Sequence, residues 1–351
     1  MKKTQVALAA LALVASTAVL ADGVTVSGRI DYAYAVDSSN TNDMTGVREG
    51  NLAPNFINVT GSEDLGDGMK ASFNWVNLVT SSGALANANA NVGISSGVVG
   101  MKLGRVTDTF LKGVLAFDVT GGGNMGSAVS PILQFGATGA FHSNALQVDA
   151  NVGGLNLEAT IIGQDSTSAL GFNTAATDGV AGAYAGAKGD YALSASTDVG
   201  GIKLGGAYSV RSTAAASTTA TATALTKGKS LALGASGKLG ELTANALYMK
   251  LGETSTVNSE TTVTGINGAY PISEAVTLTG GYYDYAGGVN NANDGKLTSI
   301  GAKYAFSKMT TGFVNYEKVS GAAQAMRGSV TAGAAAGTNK NIIMIGVAHA
   351  F

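Results

Sequence analysis

Apolar and polar residues alternate along most of this chain with a period of two, the side-chain period of a β-strand. The last stretch, Asn341 to Phe351, shows it most sharply. Ile343, Ile345, Val347, His349 and Phe351 share one face, and Ile342, Met344, Gly346, Ala348 and Ala350 the other. The first such segment, Val24 to Val36, sets Val24, Val26, Gly28, Ile30, Tyr32 and Tyr34 against Thr25, Ser27, Arg29, Asp31 and Ala33. Between them the pattern predicts Phe56–Asp64 and Met69–Val79 about the Gly66-Asp67-Gly68 turn, then Ala90–Ser95 with Val98–Arg105, and Ala145–Val152 with Leu155–Gly163. The second half repeats the unit: Gly189–Asp198 with Ile202–Val210, Lys229–Ser236 with Glu241–Leu251, Thr261–Tyr270 with Val276–Asp284, and Gly295–Ala305 with Met309–Val319. With the closing strand these make sixteen, the even count of antiparallel strands that a closed bacterial barrel requires.

Connections sort into short and long. Tight turns alternate with long Ser/Thr/Ala/Asn/Gly-rich stretches, among them Asp37–Pro54, Ser166–Val180, Arg211–Gly228 and Ser320–Lys340. Short turns on one side and long loops on the other are the asymmetry of outer-membrane barrels. The stretch from Val106 to about Ser143 has no clear periodicity and is too apolar for a water-exposed loop, so it is expected to fold into the barrel interior as a constriction. No helix accompanies the strands, so a greasy closing strand has no layer to lie under. Lipid is the alternative, in which every sheet edge must be closed.

Composition and charge fit this picture. Met1–Ala21 reads as a secretory signal, with Lys2 and Lys3 before the apolar run Val6–Val14 and a small-residue cleavage site at Val19-Leu20-Ala21, leaving residues 22–351 as one barrel domain. No later run of about 18 apolar residues offers a spanning helix. There is no cysteine, and removing the two signal lysines from 21 basic residues leaves 19 against 23 acidic, no footprint for nucleic acid. No nucleophile set, phosphate loop or metal spacing stands out, so neither an enzymatic activity nor a cofactor is expected. His142 and His349 lack metal-ligand spacing, and His349 is expected at the membrane interface. Alternation places Arg29, Asp31, Lys70, Lys102, Asp149, Glu158, Lys203 and Lys303 on the inner face, and the long insertion adds Asp108, Lys112 and Asp118. It places Arg105 outward, unless a bulge at Gly104 turns it in, which is the expectation here. Tyr32, Tyr34, Tyr282, Tyr283, Tyr304, Phe306, Phe313 and Phe351 lie near strand ends, as interface girdles would.

Four motifs carry a family resemblance over nearly all of the mature chain. They are the opening strand VTVSGRIDYAY with Gly28 and Asp31, the segment Gly61-Ser62-Glu63-Asp64-Leu65-Gly66-Asp67-Gly68-Met69-Lys70-Ala71, Leu103-Gly104-Arg105 before the long insertion, and Gly346-Val347 followed by His349 and Phe351. The chain resembles the general porins of the Gram-negative outer membrane, of the beta-proteobacterial type. The resemblance implies a sixteen-stranded trimeric barrel in outer-membrane lipid and lipopolysaccharide, inserted by the barrel-assembly machinery. Small hydrophilic solutes would diffuse passively through it. It also implies an assembly signal in the closing residues Ile343, Ile345, Val347, His349 and Phe351. Phe56, Thr60, Ala348 and Ala350 stand where such porins usually carry basic residues, so the constriction field is expected to be weak. The modest excess of basic over acidic residues on the inner face, Arg29, Lys70, Lys102, Lys203 and Lys303 against Asp31, Asp149 and Glu158, leads to the expectation of a weak anion preference. A substrate-specific channel is the nearest alternative. A secreted glycine- and alanine-rich β-solenoid adhesin is a more remote one.

Overall fold

The computed structural model describes residues 23–39, 44–79, 83–120, 122–123, 126–128, 132, 140–163, 189–213, 226–253, 260–288, 293–321 and 340–351. The expected signal segment lies outside them, as does most of the three later long loops. Among the described residues no helix is long and apolar enough to cross a membrane.

Among the described residues seventeen antiparallel strands build one closed sheet. In chain order they are β1 Thr25–Ser39, β2 Met44–Glu49, β3 Phe56–Gly66, β4 Met69–Val79, β5 Leu85–Ser96, β6 Val99–Thr107, β7 Phe141–Val152, β8 Leu155–Ile162 and β9 Asp190–Val199. They continue as β10 Ile202–Thr213, β11 Thr226–Leu239, β12 Leu242–Glu253, β13 Thr261–Pro271, β14 Val276–Gly287, β15 Gly295–Ala305, β16 Thr310–Gly321 and β17 Lys340–Ala350. All sixteen strands expected from alternation are present, with ends shifted by a few residues. The additional strand is β2. Thr25–Arg29 of β1 pair with β3, while Tyr32–Asp37 pair with β2, so β2 continues the β3 position and the barrel stays sixteen staves round.

Closure runs through the two ends of the chain. Residues 29–39 of β1 pair with 340–350 of β17 in an unbroken register. Beyond it Gly28 N–H donates to the Phe351 carbonyl at 2.9 Å, and Phe351 N–H donates back at 3.0 Å. The Phe351 ring lies on Gly28 so closely that a Cβ there would come within 2.3 Å of it, which gives a physical reason for glycine at this position. Strand β17 shows the two faces plainly: Ile342 and Met344 are wholly buried, whereas Ile343, Ile345 and Val347 are 53%, 64% and 49% exposed. An apolar face turned outward all round the barrel suits hydrocarbon and not water.

The core therefore lies inside the barrel. Its apolar cluster joins inward residues of β12–β17, such as Leu247, Met249, Val263, Tyr283, Phe313 and Met344, to Phe110, Leu111, Val114 and Phe117 of the long insertion. Two aromatics assigned to the girdle by sequence belong here instead. Tyr283 and Phe313 are 0% and 5% exposed and share the inner face with Gly265 and Lys303, their partners across the strands. Alternation places them inward despite their aromatic character. Tyr34, Tyr282, Tyr304, Phe306 and Phe351 are exposed, as a girdle needs.

Candidate permeation pathway

The insertion after β6 begins with a short helix, α1 (Thr109–Leu115). Asp108 caps it, accepting from Leu111 N–H at 2.9 Å, which satisfies one of the donors that a helix start leaves free. Phe110, Leu111 and Val114 are buried, so seven residues present one apolar side to the wall. At Ala116 the helix stops, and Phe117 drops onto Gly234 of β11. A Cβ at Gly234 would sit 2.3 Å from the Phe117 ring, so this glycine makes the socket for it.

Polar bonds fix the insertion to the inner wall at two levels and brace it internally at a third. Asp108 is fully buried between His142, whose Nε2 lies 2.7 Å away, and the Arg211 guanidinium of β10. Burial alone would raise its carboxyl, but the His142 bond, the Arg211 charge and the Leu111 N–H outweigh that and hold it well below the usual range. Farther on, Asn267 of β13 donates from Nδ2 to the Phe117 carbonyl at 2.9 Å and accepts from Val119 N–H at 3.0 Å. Asp118 then closes a local cage, accepting from Thr120 N–H and Oγ1, Ser127 Oγ and Ala128 N–H at 2.6–2.9 Å. Gly126 lies against Ser299 of β15, and Gly123 against the backbone at residues 51–52. The insertion thus follows the inner wall from β8, where Thr109 and Lys112 meet Glu158, round to β15 and meets the link before β3.

Among the described residues the opposite wall carries no such cover. On β3–β5 an amide ladder lines the interior: Asn58 donates to Ser27 Oγ at 3.4 Å, Asn74 to Asn58 Oδ1 at 2.9 Å, and Asn91, across from Asn74, to the Arg105 carbonyl at 2.8 Å. Half-buried amides on an inner face keep water in the lumen.

The charged residues expected in the lumen fall into three groups. Asp31, Asp108 and Asp118 are enclosed, at 0%, 0% and 9% exposure, and do not face the water as alternation alone suggests. The reason is local: each finds backbone N–H donors. Asp31 accepts from Leu52 N–H at 2.5 Å and from Asn51 Nδ2 at 3.1 Å, drawing residues 50–55 inward. A second group is wet but compensated. Lys70 stands across from Asp64 and Lys203 across from Asp198 in register. Lys102 lies 3.7 Å from Asp149, and Lys112 pairs with Glu158. The third group is Arg29 and Lys303, half-buried and without an ion pair among the described residues. Lys303 is close enough to Arg29, Asp31 and Asp118 to feel their charges.

Arg105 occupies a bulge, but the additional residue is in β7. Gly104 faces Ala145 and Val106 faces His142, so Ser143 and Asn144 together oppose Arg105. Its Nε donates to the Asn87 carbonyl at 3.0 Å and one terminal nitrogen to Ser143 Oγ at 2.7 Å, with the guanidinium over Phe141. Arg211, His142, Asp64, Asp198 and Asn267 were not singled out by the sequence as site residues. Register parity was a usable signal for Asp64 and Asp198; the partners of Asp108, 34 and 103 residues away, left none. On the outer face His349 Nδ1 lies 2.9 Å from Thr310 Oγ1, exposed at the short-turn rim. Among the described residues no cluster of His, Cys, Asp and Glu could hold a metal ion.

Comparison with known proteins agrees with this architecture. An anion-selective porin from Comamonas acidovorans superposes with a TM-score of 0.78 over 94% of this chain and 99% of its own, at 17% identity. A loop-deletion form of OmpT, an outer membrane protein of Vibrio cholerae, gives 0.66 over 94% and 99% at 13%. Salmonella typhi OmpF, in complex with daunomycin, gives 0.66 over 93% and 97% at 12%. No protein of curated function matches the chain in sequence. The profile of the Gram-negative porins matches residues 7–324, nearly the whole length, and the chain belongs to that family as an outer-membrane channel.

Proposed function

We propose that this porin is a general diffusion pore for small hydrophilic solutes and ions, with a weak preference for anions, in which α1 and the residues after it form the constriction. The one-sided docking of the insertion supports this. It covers the apolar inner wall and leaves the amide-lined wall of β3–β5 to water. A substrate-specific channel would be expected to present aromatics along the lumen. Here Tyr283, Tyr285 and Phe313 are buried beneath the insertion, which favours the general reading. The slight anion preference rests on Arg29 and Lys303, since the other wet lysines face carboxylates. The Comamonas acidovorans relative is itself described as anion-selective.

The pore works as a homotrimer, the form recorded for the Vibrio cholerae relative OmpT. It sits among outer-membrane lipids and lipopolysaccharide after residues 1–21 are removed. The barrel-assembly machinery inserts it, guided by the closing residues through Phe351. In a planar bilayer, purified protein should give ohmic single channels and a small reversal potential of anionic sign under a KCl gradient. A strongly cationic reversal potential would overturn the selectivity, and a channel saturable by one sugar at low concentration would overturn the general reading.

A further inference from the structure

Below α1, towards the short turns, a pocket of about 460 Å³ opens between β6, β7, β8 and β9. Its charged lining is Lys102, Lys112, Asp149 and Glu158, with Asn156 and Ser194 beside them. Asp149 and Glu158 stand directly opposite one another on β7 and β8. Two like charges so placed repel, and the lysines that relieve them arrive from different elements.

The two ion pairs differ in how completely they are satisfied. Lys112 comes down from α1, pairs with Glu158 and donates to Gln147 Oε1 at 3.1 Å, while Thr109 Oγ1 donates to the other Glu158 oxygen at 2.5 Å. Burial lowers the Lys112 ammonium pKa, and the Glu158 carboxylate partly restores it. That half of the pocket is already saturated. Lys102 and Asp149 make only a loose contact at 3.7 Å, with side chains 41% and 43% exposed. Asp149 faces Gly100 across the ladder, and its carboxylate lies over that glycine in the space any side chain would need. The pocket therefore presents one ammonium and one carboxylate, side by side, each with hydrogen-bonding capacity to spare.

We infer that this pocket is a subsite for small zwitterions of the amino-acid type. The solute carboxylate would meet Lys102 with Lys112 behind it, and its ammonium would meet Asp149. Charge matching favours such a solute. A zwitterion replaces the loose internal pair with two shorter contacts, whereas a simple anion or cation frees one member of the pair and leaves it unpartnered. Short turns face the periplasm in outer-membrane barrels, so the subsite would lie on the exit side of the constriction.

The inference rests on the pore reading above and names a class of solute for it. β-Alanine and lactamide are isomers, one zwitterionic and one neutral, and serve as the probe pair. Entry of each into proteoliposomes is measured at low concentration, with KCl single-channel current recorded from the same preparation. β-Alanine should enter a few-fold faster than lactamide, about what two half-exposed charge contacts allow. That excess should vanish in the Lys102→Gln, Asp149→Asn double variant, and Asp149→Asn alone should shift the preference to propionate. Equal entry of the two isomers through wild-type channels that carry KCl would overturn the subsite. Absence of KCl current would instead overturn the pore reading itself.

Discussion

The two inner walls of this barrel are made by the same rule and used oppositely. On β12–β17 the inward positions include Leu247, Met249, Leu251, Val263, Tyr283, Tyr285, Leu297, Phe313, Ile342 and Met344, with Asn245, Asn267, Ser299, Asn315 and Glu317 buried among them, and the apolar ones form one cluster with the inserted segment. On β3–β7 they include Asn58, Asn74, Asn91, Lys102 and Asp149, and the lumen stays polar. Alternation assigns a residue to the inner face without saying whether that face is dry or wet. What decides is whether another part of the chain comes to cover it. The insertion can do so because its apolar residues match an apolar wall, and its carbonyls and N–H groups find Asn267 and the buried carboxylates. A barrel interior is thus divided into a core half and a channel half by one connection.

That division can be broken most severely from the dry side. Phe117 fills the socket over Gly234, and replacing a buried phenylalanine by alanine costs about 3–5 kcal/mol in a packed core. The barrel ladder does not depend on this contact, so Phe117→Ala should leave a heat-modifiable barrel with a loosened insertion. Single-channel conductance should rise and its noise increase. An unchanged conductance would mean that the insertion does not narrow the pore.

The polar anchor at the start of the insertion predicts a pH response of intermediate size. Asp108 is held well below the ordinary carboxylate value, chiefly by His142 and Arg211 against the opposing effect of burial. A depressed pKa contributes stability that is complete above the undocked value, about 3.9 for aspartate, and is lost as pH falls through the folded one. Channel noise should therefore be constant from neutral pH down to about 4 and increase only in stronger acid. In Asp108→Asn the acid transition should disappear, because no proton is taken up there. A noise transition near neutral pH, unaffected by that substitution, would place the sensitive group elsewhere.

Much of this was legible in the sequence, and the reason is the ladder. A strand that crosses a membrane with one face in lipid must alternate over about ten residues, so all sixteen long strands announced themselves. Strand β2 did not. Met44-Thr45-Gly46-Val47-Arg48-Glu49 is short, and it is a strand because β1 runs on past the end of β3 and offers Tyr32–Asp37 as an edge. Helix α1 was equally silent, since seven residues with Gly113 in the middle show no usable period. Which faces carry charge was readable from parity; which charges meet water was not. Asp31, Asp108 and Asp118 look like lumenal carboxylates until distant backbone donors and side chains enclose them.

On the wet side the effects are smaller. Arg29 and Lys303 are inward basic residues with neither an ion pair nor a carboxylate directly across the strand among the described residues, so the Arg29→Ala, Lys303→Ala double variant should move the reversal potential towards zero. The shift should be visible at low salt and fade by about 0.15 M, where the Debye length is about 8 Å. A double variant as anion-selective as wild type would remove these two residues as its source.

The smallest expected effect is the sharpest test of how the wet wall is charged. Lys203 and Asp198 face each other across β9 and β10, close to the Gly200-Gly201 turn. If the lumen responds to the pair as a unit, its outside field is that of a short dipole, which falls off faster than that of a single charge. Exchanging the two, Lys203→Asp with Asp198→Lys, reverses the dipole and leaves the charge of that level unchanged. The reversal potential should then match wild type at every salt concentration. Lys203→Ala alone uncovers one carboxylate, and should shift the potential in the cationic direction at low salt. A large shift from the exchange would show that ions read Lys203 singly. Compensation across the strands would then fail as the explanation for a weakly selective pore.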